Sequence, residues 1–217
     1  MIAILGLVAA ALMIPILLRI GLRVFALLFV RAAVIKAAED VGQRAVDQQP
    51  DHIHLTRRGP QDWAQPDAAA ALAMPLLENG FSDAGSYAID ELPGVLVRLM
   101  PDEHNGMLGI VYEHSRAPHW VELVTRYANG TVATFTTLRP TGLSPLPGYS
   151  TFHAPGLDAG ALLHRALQER PKGAVTSVTT ATAVKLFEHG YAEQIAARKR
   201  RGVSAREVVR VATRKVA

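Results

Sequence analysis

The sequence contains no cysteine among its 217 residues. This absence excludes disulfides, thiolate catalysis, cysteine-ligated zinc and cysteine-bound iron–sulfur clusters. The sequence also lacks the G-x-x-x-x-G-K-[ST] phosphate-binding pattern, the G-x-G-x-x-G dinucleotide pattern and the G-x-S-x-G nucleophile motif. These absences argue against several large enzyme classes, and we predict a non-catalytic protein without a cofactor.

Histidine is the remaining source of metal ligands, and two pairs are candidates. His52 and His54 lie beside Asp51, and His114 and His119 flank a short loop. Two histidines can recruit a carboxylate to complete a site. Neither pair has the H-E-x-x-H spacing, so we interpret all four as solvated loop histidines and predict no metal.

Two further groups are candidates for chemistry. Residues 102–104, Asp-Glu-His, could supply acid and base groups, but they precede Asn105-Gly106, where a turn requires polar residues. We interpret them as turn residues. Trp120, Tyr127 and Phe135 are candidates for a ligand pocket, although aromatic residues in strands more often pack within the sheet.

The longest apolar stretch covers residues 1–30, where Arg19 and Arg23 are the only charged side chains. A membrane span needs roughly 17 to 25 mostly apolar residues, and residues 2–18 carry no charged side chain. We therefore predict one transmembrane helix. An arginine at the bilayer centre costs about 2.5 to 3.5 kcal/mol but little at the headgroups. Arg19, Arg23 and Arg31 are accordingly predicted to lie at the membrane interface.

The distribution of charge predicts the orientation of this anchor. No basic side chain precedes it, whereas basic side chains follow it up to Lys36. The positive-inside rule then places the C-terminal domain in the cytoplasm. We expect a single-pass protein of a bacterial-type inner (plasma) membrane. A cleaved signal peptide would need a basic segment before the apolar run, and the first three residues do not supply one.

Apolar residues continue beyond the arginines, within a single helix predicted from Ile2 to about Gln48. Phe25, Leu28 and Phe29 lie there on helix faces away from the interfacial arginines. Exposed apolar patches mark sites that contact either lipid or protein. This surface is therefore predicted either to lie in the membrane interface or to dock onto another membrane subunit.

The C-terminal end is basic, because Glu207 is the only acidic residue from position 198 onward. Each basic side chain close to anionic lipid contributes about 1 kcal/mol to binding, which favours contact with anionic lipid or a partner. The alternative is an ordinary solvated helix face. No nucleic-acid motif is present, and we predict no nucleic-acid binding. The predicted contact residues are Arg198, Lys199, Arg200, Arg201, Arg206, Arg210, Arg214 and Lys215.

The strongest strand signal is an Asn-Gly pair at 129–130 between two runs rich in valine, threonine and aromatic residues. This pair favours a two-residue type I′ hairpin turn. Such a turn places Leu123 opposite Thr136 on one face and Val124 opposite Phe135 on the other. The first face lacks formal charge, so we predict that it faces the core, with the second face partly covered.

The remaining pattern predicts an α+β fold: an N-terminal transmembrane helix followed by an antiparallel β-meander of four or five strands flanked by helices. Other strands are predicted at 86–92, 95–100 and 106–114, with a short edge strand at 151–153. Helices are predicted at 67–78, 158–170, 180–201 and 204–216, the third with a core-facing stripe of Val184, Phe187, Tyr191 and Ile195. The last begins with a capping box of Ser204 and Glu207.

These elements predict four parts: a transmembrane anchor with a juxtamembrane helix (1–49), a linker (50–66), an α+β domain (67–201) and a basic amphipathic C-terminal helix (202–217). The leading hypothesis is a non-catalytic accessory or scaffold subunit whose partners are membrane lipid and other membrane protein subunits. A membrane-tethered sensor or carrier, with a small-ligand pocket between sheet and helices, is the alternative. A metal-dependent enzyme that uses the histidines is a third hypothesis.

Overall fold

The computed structural model describes residues 33–115 and 117–214. It confirms the predicted α+β class, with one mixed sheet of seven strands and helices on both faces. The strands are β1 (Leu55–Arg58), β2 (Gly85–Ile89), β3 (Val95–Asp102), β4 (Met107–His114), β5 (Ala117–Arg126), β6 (Val132–Thr136) and β7 (Tyr149–His153). The helices are α1 (residues 33–47), α2 (Pro66–Glu78), α3 (Ala159–Glu169), α4 (Ala183–Arg201) and α5 (Ala205–Arg214).

The strands lie in the sheet in chain order, and β1 to β6 form an antiparallel meander. β7 instead pairs parallel with β6. The prediction of a purely antiparallel sheet of four or five strands is therefore wrong at both edges. The connection 137–148 supplies the dozen or so residues that a crossover between parallel strands requires.

The first strand lies within the stretch that we interpreted as a linker, residues 50–66. β1 pairs with β2, and Ile53 and Trp63 on either side of it are buried. Three of its four residues are exposed, so the segment has no alternating apolar pattern from which a strand could be predicted. This stretch is part of the folded domain.

The two faces of the sheet support separate apolar cores. Successive strand residues point to opposite faces, so β4 contributes Val111 to one core and Ile110 to the other. α2 and α3 cover the face that contains Val111 and Leu123. α4 covers the face that contains Ile110, and its predicted stripe residue Phe187 packs there.

The β5–β6 hairpin differs from its prediction by one residue. The Gly130 amide donates to the Tyr127 carbonyl, and the Tyr127 amide donates to the Thr131 carbonyl. The loop therefore contains three residues. Gly130 has a φ of 82°, whereas no non-glycine residue that the structure describes has a positive φ. A type I′ turn, which requires positive φ at both central residues, is excluded.

This shift changes which side of β6 faces which core. Leu123 pairs with Phe135 instead of Thr136. Because a slip of one residue moves a strand's side chains to the other face, Phe135 joins Leu123 in the core beneath α2 and α3. The predicted core face is correct for β5 and wrong for β6.

The two ends of the described chain meet beside α4. A Cβ atom at Gly42 of α1 would lie 2.7 Å from Val208 Cγ2 of α5, so these helices pack closely. The predicted capping box is confirmed, because the Ser204 amide donates to Glu207 over 3.0 Å. Among residues 33–115 and 117–214, no helix is both long and apolar enough to cross a membrane. The predicted anchor, residues 1–30, lies outside the described residues.

Candidate ligand-binding site

A cavity of about 240 Å³ lies between α4 and the central strands of the sheet; we call it the sheet–α4 cavity. Strands β4 to β7 supply one wall, and residues 186–194 of α4 supply the other. Most of the lining is apolar, including Leu108, Ile110, Val124, Val178, Leu186 and Phe187. Ligand sites typically combine such walls with a few polar groups.

Glu122 is the acidic group that the sheet presents to this cavity. Tyr112 lies next to it on β4, and its hydroxyl donates to Glu122 Oε2 over 3.3 Å. The Tyr112 ring stacks on Trp120, with centroids 4.6 Å apart and planes at 5°. The Trp120 indole nitrogen is buried near Glu122 but lacks a hydrogen bond of good geometry.

The surroundings of Glu122 change its protonation. Burial raises the pKa of Glu122 above its ordinary value of 4.5, against the opposing effect of donors on Tyr112, Trp120 and Thr136. Burial likewise raises the pKa of Tyr112 well above 10.0. A carboxylate withdrawn from water is costly without a positive partner, so the half-buried position of Glu122 shifts it toward the neutral form relative to a solvated glutamate.

The α4 wall is aromatic and tightly placed. The ring centroids of Phe187 and Tyr112 are 6.4 Å apart, and the two ring planes are inclined at 49°. Tyr191, one turn further along α4, also lines the cavity, and its hydroxyl is buried with no hydrogen-bond partner among the described residues. Burial raises the pKa of Tyr191 above 10.0, so its ring stays neutral near pH 7.

A charged cluster lies at another part of the cavity wall. Arg126 of β5 forms an ion pair with Glu193 of α4 at 2.5 Å. His189 Nε2 lies 3.1 Å from the same carboxylate. The Arg126 partner lowers the pKa of Glu193 despite some burial. This cluster connects α4 to β5.

The predicted pocket aromatics have other roles. Phe135 stacks on Phe152 at 4.4 Å in the packed core on the opposite face. The Tyr127 hydroxyl donates to the Pro171 carbonyl over 2.7 Å. Trp120 lies on the cavity side but behind Tyr112, and it supports the site without lining it. The aromatic residues that line the cavity are Tyr112, Tyr149, Phe187 and Tyr191.

Sequence reasoning missed Glu122 and Tyr112 as site residues. A signal for Glu122 was present, because the hairpin pattern places it on the second, partly covered face between valine and leucine residues. A carboxylate on a covered face needs partners. Tyr112 had no distinguishing signal, since tyrosine is common in strands.

The histidines considered as metal ligands and interpreted as solvated loop residues do not form a common site. His114 and His119 lie in β4 and β5, so the loop interpretation is wrong for this pair. His54 Nδ1 is 2.5 Å from Glu91 Oε1, and His119 Nε2 is 2.9 Å from Glu113 Oε2. Asp51 binds Lys199 instead of approaching His54. Within the two described ranges, no group of three or more His, Asp or Glu side chains has metal-binding geometry.

Glu113 has a separate structural role on the other face of the sheet. It accepts hydrogen bonds from the backbone amides of Ala64 at 2.9 Å and Gln65 at 3.0 Å, at the start of α2. Burial would raise the pKa of Glu113, but these amides and His119 outweigh that effect and lower it. Glu103 and His104 are turn residues as interpreted, whereas Asp102 is the last residue of β3 and accepts from the Asn105 amide over 3.0 Å.

Several of the predicted basic contact residues hold the C-terminal helices in place. Arg201 pairs with buried Glu207, and Lys199 pairs with Asp51 at 2.7 Å. Arg198 and Arg210 bind Ser144 through its carbonyl and hydroxyl oxygens respectively, each at 2.8 Å.

The other predicted contact residues are exposed or fall where the structure gives no side chain. Arg200 and Arg206 are exposed. The side chain of Arg214 and all of Lys215 lie outside the described residues, as do the predicted interfacial and docking residues Arg19, Arg23, Phe25, Leu28, Phe29 and Arg31.

Comparisons with protein-family models, curated proteins and solved structures found no match to this chain.

Proposed function

We propose that the domain binds a small molecule in the sheet–α4 cavity. The observation that carries this proposal is an ionisable side chain, Glu122, in the lining of an otherwise mainly apolar space of about 240 Å³. The space is partly open to solvent, since Thr151 and Gln194 of its lining are exposed, and clefts of this kind are where small molecules bind. Glu122 is half-buried without a positive partner, which also lowers stability, and binding is a function that would justify retaining both features.

The protein would act as a membrane-tethered sensor or carrier. Residues 1–30 supply the anchor from sequence alone, with the domain on the cytoplasmic side of an inner membrane. Tyr191 lines both the sheet–α4 cavity and an apolar groove of about 640 Å³ between α4, α1 and α5. A ligand that contacts Tyr191 would therefore touch a side chain that also faces α1, which follows the predicted anchor in the sequence.

The test is a screen of small fragments by ligand-detected NMR against the full-length chain in mild detergent. The informative variant is Thr134→Phe, because Thr134 lines the cavity and phenylalanine would fill part of it. The matched control is Ser150→Phe, an exposed position of β7 that alternates with cavity-facing Tyr149 and Thr151. Thermal unfolding of each variant checks that it is folded.

A fragment that binds the unmodified chain and Ser150→Phe, but not folded Thr134→Phe, would support the proposal. Fragments that bind the detergent micelle give the same signal with all three proteins and are removed by this comparison. If every fragment bound the folded variants equally, or none bound at all, the proposal would be wrong.

A second candidate function is the non-catalytic accessory or scaffold subunit, with membrane lipid and membrane subunits as partners. The observation that favours it is an apolar surface on α1, where the exposed fractions of Val34, Ile35 and Val41 are 63%, 41% and 54%. Affinity purification in mild detergent tests it. A stoichiometric partner should be lost when Phe25 and Phe29 are both replaced by serine, and retention of that partner would contradict this candidate.

A further inference from the structure

Glu122 has no basic partner in the part of the chain that the structure describes. None of the ion pairs there includes it. Its neighbours are the uncharged polar groups of Tyr112, Trp120 and Thr136, and the Tyr112 hydroxyl donates to it over 3.3 Å. These groups orient the carboxyl group without neutralising it. The described part of the protein therefore provides no positive charge to pair with ionised Glu122.

The basic residue in the cavity lining does not supply this charge. Arg126 lies on the same face of β5, but it is committed to Glu193 of α4 at 2.5 Å. Glu193 also binds His189. Arg126 and Glu193 cancel each other as a pair, and Glu122 remains the unbalanced charge of the lining.

The uncharged walls suit a cation. Four aromatic residues line the cavity, from β4, β7 and α4: Tyr112, Tyr149, Phe187 and Tyr191. The faces of aromatic rings attract cations, and cages of such rings recognise quaternary ammonium groups. Tyr112 contacts Glu122 through its hydroxyl, and its ring, which stacks on Trp120, has its centroid 6.4 Å from that of Phe187.

The size of the cavity limits the ligand. A cavity of about 150 Å³ can hold benzene, so about 240 Å³ admits a molecule with one ring and a short substituent. We infer that the sheet–α4 cavity takes a small organic ammonium ion, with Glu122 as counter-charge and the aromatic residues as walls. This inference rests on the proposed function, since it names the ligand class for the same cavity.

The experiment compares three probes that differ in charge: 2-phenylethylamine, its neutral analogue 2-phenylethanol, and benzyltrimethylammonium, whose charge does not depend on pH. Binding is followed by the fluorescence of Trp120, which stacks on Tyr112. The full-length chain carries Trp63→Phe, because Trp63 is the other of its two tryptophans. The test variant is Glu122→Gln, and Glu169→Gln at an exposed position on α3 is the matched control.

The inference predicts that both cations bind at least tenfold more tightly than 2-phenylethanol. It also predicts that Glu122→Gln removes that preference while Glu169→Gln keeps it. If 2-phenylethanol bound as tightly as the cations, and Glu122→Gln bound all three unchanged, the ammonium class would be wrong and the proposed function would stand. If no probe bound, the inference would be wrong, and the fragment screen would decide the proposed function separately. If all three probes bound folded Thr134→Phe as tightly as the parent chain, both the inference and the proposed function would be wrong.

A pH series with benzyltrimethylammonium adds an independent readout. Its affinity should rise as pH increases above 4.5, because Glu122 must lose its proton to pair with the cation and burial raises its pKa. The facing tyrosines on β4, β7 and α4 have pKa values raised above 10.0 and stay neutral. The histidines near this face are His189 beside Glu193 and His153 opposite Thr136. His189→Gln and His153→Gln should keep the pH profile, and a flat profile in the parent chain would contradict the inference.

Discussion

The Tyr112 hydroxyl donates to Glu122 across the β4–β5 pair at 3.3 Å. Backbone pairing fixes both residues, since Tyr112 lies opposite Trp120 and Glu122 lies opposite Ile110. The polar part of the candidate site is thus built on two central strands of the sheet, which hold side chains more precisely than loops do. The α4 wall is attached to this floor through the ion pair of Arg126 and Glu193.

Glu122→Gln should stabilise the empty protein at neutral pH. Glutamine keeps the shape of the side chain but needs no ionisation. Burial raises the folded-state pKa of Glu122 above 4.5, so the unfolded chain loses this proton first as pH rises. The contribution of Glu122 to the free energy of unfolding is therefore fully present below about pH 4.5, and it is lost as pH increases through the raised pKa.

Thermal unfolding at several pH values checks this expectation. The Tm of Glu122→Gln should match that of the parent near pH 4 and exceed it near pH 8, by about 2 to 4 °C for each kcal/mol gained. A variant less stable than the parent at pH 8 would show that the carboxylate is stabilised by the fold, contrary to our interpretation.

Glu113→Gln should have the opposite effect. Hydrogen bonds from the amides of Ala64 and Gln65, together with His119, outweigh burial and lower the pKa of Glu113 below 4.5. Its stabilising contribution is present above pH 4.5 and is lost as pH falls through the lowered pKa. At pH 7 the variant should lose about 1.5 to 3 kcal/mol, because the hydrogen bonds to a charged acceptor are weakened.

Denaturant unfolding of Glu113→Gln and Glu122→Gln under the same conditions measures the change in the free energy of unfolding for each. Each variant then serves as the control for the other. Both replace a glutamate with a glutamine on neighbouring strands, yet we expect changes of opposite sign at pH 7. Equal changes in the two variants would indicate that their environments do not differ in the way the structure describes.

Gly130→Ala should destabilise the β5–β6 hairpin by about 1 to 2 kcal/mol, the cost of the left-handed conformation for a residue with a Cβ atom. Gly130 has a φ of 82°, and no atom lies within 4 Å of a Cβ built there. The cost is therefore backbone strain alone. Denaturant unfolding measures it, and an unchanged midpoint would contradict the three-residue loop.

Arg201→Gln should destabilise the C-terminal helices by about 1.5 to 3 kcal/mol, because it removes a charge-assisted hydrogen bond to a buried carboxylate. Its partner Glu207 is only 3% exposed and also accepts from the amides of Ser144 and Ser204. The control is Arg200→Gln at an exposed neighbouring position, where we expect a change within about 0.5 kcal/mol. Equal unfolding midpoints for the two variants would rule out this anchoring role.

Local signals predicted most elements of the domain. The capping box at Ser204 and Glu207 is a short-range pattern, and the structure confirms it. Of the predicted stripe on α4, Val184, Phe187 and Tyr191 pack on the core as expected, whereas Ile195 lines the groove between α4, α1 and α5. The parallel pairing of β7 could not be predicted, because it depends on the path of a connection rich in proline and glycine. β1 could not be predicted because its residues are mostly exposed.

The candidate site was harder to predict than the fold. The predicted hairpin register depended on the number of residues in the turn, and it was wrong by one position. Phe135 was therefore predicted on the second face of the hairpin, whereas it lies in the core beneath α2 and α3. The cavity itself depends on how far α4 stands from the sheet, which no local pattern encodes. Of the aromatic residues that line it, Phe187 and Tyr191 were predicted only as packing residues.

The measurement that tests the central claim most directly is a methyl NMR spectrum of the full-length, valine- and leucine-labelled chain, recorded with 2-phenylethylamine and then with 2-phenylethanol. Val124 and Leu123 are adjacent on β5 and face opposite cores. We expect the Val124, Leu108 and Leu186 methyl signals to shift with at least one probe, while that of Leu123 stays unchanged. Equal shifts on both faces of β5, or no shift with either probe, would contradict a ligand site between the sheet and α4.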